Sequence, residues 1–162
     1  MPVAIDLQKN RMKAARLRWL MNCWPPFLAA GIRVREIAPD FGYVRVDLVN
    51  WGLNRNYVGT HFGGSLFAMT DPFYMLMYMK RLGPEFIVWD YSASIRFMQP
   101  GRGRVTALFE LTEHDLQRVR VHTQGGERFL FDHVVEVKNP NGELVAKVDR
   151  TLYFKRKADS RS

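Results

Sequence analysis

Residues 54–72, NRNYVGTHFGGSLFAMTDP, set a carboxylate, Asp71, inside the most apolar run of the chain, with two adjacent glycines, Gly63 and Gly64, just ahead of it. An ionised carboxyl group held away from water costs on the order of several kcal/mol unless it is paired or used. Poorly solvated, Asp71 would be a stronger base or nucleophile than a surface carboxylate. Amides at a helix start lack intrahelical partners and carry the positive end of the dipole, and glycines there let a substrate oxygen come close. A plainer reading stands beside this one. Asp-Pro is a favoured helix start, with Asp71 as cap and Pro72 at the first position, and Asn54 and Asn56 fit turn positions equally well.

The elements that would position these groups follow from periodicity. Met12, Ala15, Trp19, Leu20, Cys23 and Trp24 recur at helical spacing, which predicts an amphipathic first helix packed on the domain and ended by Pro25-Pro26. Ile32 and Val34, then Val44, Val46 and Leu48, alternate as two strands of a hairpin turned by APDFG. Residues 50–62 show no period and read as a loop. GGSLFAMTDPFYMLMYMK is apolar on nearly all faces, as a helix is when a sheet surrounds it, and Leu82-Gly83-Pro84 stops it.

Four more strands follow, around Tyr91–Phe97, Val105–Leu111, Phe129–Val137 and Leu144–Phe154, with PGRGR read as the turn joining the first two. Thr112, Asp115 and Gly125-Gly126 bracket a short crossover helix. The order is α+β: an antiparallel sheet of about six strands curled around one long central helix, plus the N-terminal helix. A sheet this short leaves an open edge that dimerisation would cover.

The chain has 162 residues, enough for one domain, and its 47% hydrophobic content excludes a disordered protein. It divides into an N-terminal helix over 1–26, a core over 27–156 and a basic tail over 157–162. A net charge of +8 favours anionic partners. Cys23 is the single cysteine, so no intrachain disulfide forms and a cytoplasmic, reducing location is expected. Asn22 and Pro25-Pro26 interrupt what a signal peptide would need, and the run from Leu66 to Met79 is too short to cross a membrane, so no membrane insertion is expected. His114, His122 and His133 fit no metal spacing and no phosphate loop follows a strand, so neither metal nor cofactor is expected.

With these residues in place, the chain resembles the hotdog-fold acyl-CoA thioesterases of the phenylacetyl-CoA thioesterase type, across roughly residues 27–156. In that family an Asn precedes His-Gly-Gly, a helix begins at the glycines, and an Asp lies about two turns inside it. Here Asn56, Gly63-Gly64 and Asp71 fall in that order, and SASIRFMQPG, Ser92 to Gly101, is similar to the family's following strand. Phe62 is inserted after His61, and Pro72 follows Asp71 directly.

The resemblance implies a homodimer or homotetramer that hydrolyses an acyl-CoA thioester. Asp71, Gly63, Gly64 and Asn56 are the catalytic candidates, the two glycines as oxyanion donors worth about 3–4 kcal/mol each. His61, Ser65, Arg96, Arg102 and Arg104 are the substrate-binding candidates, the arginines for coenzyme A phosphates. No acid lies between Pro72 and Lys80, against the hotdog dehydratases. A non-catalytic acyl or lipid binder on the same fold is the alternative. A basic nucleic-acid-binding protein lacks any recognition motif, so no specific nucleic acid is expected.

Overall fold

The computed structural model describes residues 7–158. The end of the basic tail, residues 159–162, lies outside the described residues. Helix α1 (Leu7–Cys23) ends before Trp24, and the two prolines then open a second helix, α2 (Pro25–Ala30), which the sequence reading had not separated. Proline is well suited to a first helical turn, where its missing N–H is not needed. Gly31 closes α2 in the left-handed region at φ 80°, where a Cβ would also collide with the Val49 carbonyl and the Asn54 amide.

Strands β1 (Ile32–Ile37) and β2 (Tyr43–Val49) form the expected hairpin, with Val34 opposite Val46. The central helix is not continuous. It consists of α3 (Gly63–Ala68) and α4 (Phe73–Leu82), separated by Met69, Thr70, Asp71 and the cis-linked Pro72. Proline can neither donate to the ladder nor fit beside the carbonyl a turn earlier, so the helix bends there. Strands β3 (Phe86–Phe97) and β4 (Arg104–Glu110), helix α5 (Glu113–His122), and strands β5 (Arg128–Lys138) and β6 (Leu144–Arg156) complete the chain. The crossover helix α5 is capped as expected: Thr112 accepts from the Asp115 amide, and Asp115 accepts from the Thr112 amide at 3.0 Å.

All six strands form one antiparallel sheet in the order β1-β2-β4-β5-β6-β3. This corrects the reading of PGRGR as a hairpin turn. β3 pairs with β6 along its length, whereas β4 pairs with β2 and β5, so the segment after β3 carries the chain from one edge into the middle of the sheet. Phe73, Met77 and Tyr78 of α4 fill the concave side against Phe109, Phe154 and Val135.

The first helix also sits differently from expectation. Ala14, Leu17 and Met21 face the domain, and Met12, Ala15, Trp19, Leu20, Cys23 and Trp24 are exposed. Both faces carry apolar residues, so periodicity alone could not choose. Small Ala14 lets the helix lie close to its support, and β1 is the strand it chiefly contacts.

Candidate active site

Asp71 stands in the break between α3 and α4, its amide donating to the Ala68 carbonyl at 3.1 Å. The residue in the cap position of α4 is Pro72, with no side-chain bond to give, so Asp71 does not serve as that cap. Nor is it enclosed by apolar groups, as the sequence suggested. Its side chain is 56% exposed, and its partner is Arg150 of β6, whose Nη1 lies 3.6 Å from Asp71 Oδ1.

Arg150 holds the region together. Only 4% exposed, it donates from Nη1 to Asp90 Oδ1 of β3 at 3.0 Å and from Nη2 to Thr70 Oγ1 at 3.2 Å. Its guanidinium also lies over the Phe67 ring, 5.4 Å from the centroid. Asp71 and Asp90 thus share one cation. Partial burial pushes the Asp71 carboxyl above the usual aspartate range; Arg150 opposes this, and the nearby Asp90 carboxylate adds to it. A carboxylate so placed is a better proton acceptor near neutrality than an isolated one.

The glycines begin α3 as expected, with Phe62 in the cap position. The Phe62 carbonyl accepts from Ser65 and Leu66, at 2.9 and 3.2 Å. The amides of Gly63 and Gly64 precede the first intrahelical donors. A Cβ on Gly64 would strike the Phe62 ring, and one on Gly63 would come 2.9 Å from Phe97 Cζ. Beside Gly63 opens a cleft of about 410 Å³, lined among others by Asn56, His61, Leu66, Phe97 and Gln99.

Within this cleft the polar side chains are largely engaged with their own loops. Asn56 donates to Thr60 Oγ1 at 2.9 Å and accepts from the Thr60 amide at 2.9 Å, so it closes its turn. His61 is buried, and its Nε2 donates to the Gly103 carbonyl at 2.8 Å while its amide donates to the Gly101 carbonyl. Burial holds its pKa below the usual histidine range, so the ring is neutral, and its buried Nδ1 has no partner among the described residues. His61 therefore ties the loop before α3 to the segment after β3. Ser65 is buried in α3 and does not line the cleft. Arg96 pairs across the strands with Asp149 at 2.9 Å, and Arg102 and Arg104 are exposed.

Sequence reasoning passed over Arg150, Asp90 and Thr70. The signal for Arg150 was present: Ala146, Val148, Leu152 and Phe154 are the inward positions of β6, and Arg150 occupies the same parity. A charge on the apolar side of a strand requires a partner.

The fold is shared with solved structures of low sequence identity. A Pseudomonas aeruginosa protein described as a probable thioesterase is 18% identical, with 88% of this chain and 95% of that chain covered at a TM-score of 0.76. Thioesterase HI1161 of Haemophilus influenzae is 13% identical over 92% and 94%, at 0.64. The PaaI protein of the Escherichia coli phenylacetic acid degradation operon is 17% identical over 94% and 97%, at 0.61. The architecture is the hotdog fold. Within it, the chain belongs to a domain family of unknown function, DUF4442, whose model spans residues 13–154. No curated protein matches it in sequence.

Proposed function

We propose that the protein hydrolyses an acyl-CoA thioester, with Asp71 as the base or nucleophile and the Gly63 and Gly64 amides as oxyanion donors. The observation that carries this reading is the placement of Asp71 in the helix break, facing solvent yet tied to buried Arg150 and lifted in pKa beside Asp90. A carboxylate needed only for stability would gain nothing from a second carboxylate on the same cation. The thioesterase labels of proteins sharing the fold support the same class of reaction.

In the general-base form, Asp71 takes a proton from water as the oxygen attacks the acyl carbon. The carbonyl oxygen gains charge against the glycine amides, the carbon–sulfur bond breaks, and the thiolate leaves with a proton. Asp71 follows Gly63 by eight positions, a rise of about 12 Å for helical residues, and on this reading the two act on different carbonyls. The active unit is therefore a pair of chains, each supplying Asp71 to a thioester held at the glycines of the other.

Edge strand β3 supports such a pair. Its outer edge has no strand partner among the described residues, and Tyr91 and Phe97 are exposed on it. The deciding experiment is thiol release from short, long and aryl acyl-CoAs by the parent and Asp71→Asn. Turnover by the parent and its loss in a folded, oligomeric variant is the expected result; equal activity of the two removes Asp71 from the chemistry.

A further inference from the structure

Helix α1 is apolar on two faces, whereas a surface helix ordinarily carries one apolar stripe turned to the core. Ala14, Leu17 and Met21 take that role, and a second stripe is left in water. Met12 is 64% exposed, Trp19 65% and Trp24 49%, with Leu20 and Leu28 beside them. Exposed Trp19 on α1 and Trp24 at the junction of α1 and α2 are a large apolar surface for water to bear.

The charge on α1 itself has one sign. Lys9, Arg11, Lys13, Arg16 and Arg18 all belong to α1, and no acid occurs from residue 7 to residue 35. Between α1, the end of α4 and α5 lies a cavity of about 650 Å³ whose rim adds Lys80 and Arg120. Its two acids are already engaged: Asp40 accepts from the Gly42 amide at 3.0 Å, and Glu113 pairs with Arg81.

We propose that this face docks on an anionic lipid bilayer. The helix lies in the interface with Trp19 and Trp24 at headgroup depth and its basic side chains on lipid phosphates. Tryptophan and long basic side chains suit such a boundary because each joins an apolar body to a polar end. A second copy of the chain is the wrong occupant, since it would bring Arg11, Lys13, Arg16 and Arg18 against the same four cations with no acid on either helix. The face also adjoins β1, at the other end of the strand order from β3, so a pair joined through β3 leaves it open. The helix lies on the bilayer and does not span it: no helix among the described residues is long and apolar enough to cross. This inference does not depend on the thioesterase reading.

The test is co-sedimentation of the full chain with vesicles of phosphatidylcholine alone or with about a third phosphatidylglycerol, whose anionic surface attracts basic residues. Binding to the anionic vesicles should be at least about tenfold tighter and should weaken with added salt. Trp19→Ser with Trp24→Ser, and separately Lys13→Gln with Arg16→Gln, should each loosen it by about tenfold or more with an unchanged circular dichroism spectrum. Equal sedimentation with both vesicle types overturns the proposal. So does a tryptophan variant that binds as the parent does, or one whose oligomeric mass falls in lipid-free solution, which would assign the face to a second copy.

Discussion

Arg150 and Asp71 meet at 3.6 Å across the break in the central helix, the first almost wholly buried and the second half open to solvent. Because Arg150 also binds Asp90 at 3.0 Å, the ionisation of Asp71 depends on a residue of β3 that touches none of the glycines. For the proposed hydrolysis, Asp71→Asn should lower kcat/KM by a factor on the order of a hundred or more without changing the fold, since a neutral amide cannot take the proton. Thiol-release kinetics beside circular dichroism checks this.

In the proposed hydrolysis Asp71 acts as the carboxylate, so activity should fall as pH drops through its raised pKa. Asp90 contributes to that elevation by charge and by a hydrogen bond. Asp90→Asn should therefore move the acidic limb of the kcat/KM profile to lower pH. A limb that stays in place, or moves up, separates Asp90 from the chemistry.

Arg150→Met would fill much of the same volume but leave Asp90 and Thr70 without their donor. Losing hydrogen bonds from a charged donor to groups that stay partly solvated costs about 1.5–3 kcal/mol. Urea unfolding should show that loss, whereas Asp71→Asn, at a half-exposed side chain, should shift the midpoint little. Similar midpoints for the two variants would contradict the central role given to Arg150.

His133 sits on β5, stacked on Tyr74 with ring centroids 4.2 Å apart and bonded to the Tyr78 hydroxyl at 2.9 Å. Burial pushes its pKa down to about 4. Between about pH 6.5 and 4 the unfolded chain binds a proton that the folded chain does not, so stability should decline as pH falls through that window, by up to about 3 kcal/mol from this residue. Above it, His133 is neutral in both states and adds no slope. Denaturation midpoints from pH 7 to 4 should show this slope flattened in His133→Gln.

Pairing through β3 is tested by charge. Ser92→Lys with Ser94→Lys places two cations on the free edge strand, where like charges from two chains would face each other. On the proposed two-chain site, the variant should sediment as a folded monomer and lose turnover. An active monomer would return the site to a single chain.

Much of the architecture was legible because its signals are local. Alternation in β5 and β6, the Thr112–Asp115 capping box and the hairpin of β1 and β2 each depend on residues within one or two turns of each other. The start of α3 at Gly63, within the order Asn56, Gly63-Gly64, Asp71, was also legible. The engagement of Asn56 with its own turn was equally open to a local reading.

By itself, then, the sequence determined the six strands, the first helix and the crossover helix, and that a carboxylate interrupts an apolar run. Tertiary structure alone decided that β3 lies beside β6 and not β4, that α1 turns Trp19 outward, and that Asp71 answers to Arg150 and Asp90. Periodicity reports which side of an element is apolar. It carries no information about which distant element covers that side, because burial and charge pairing are settled only when segments far apart in the chain come together in space.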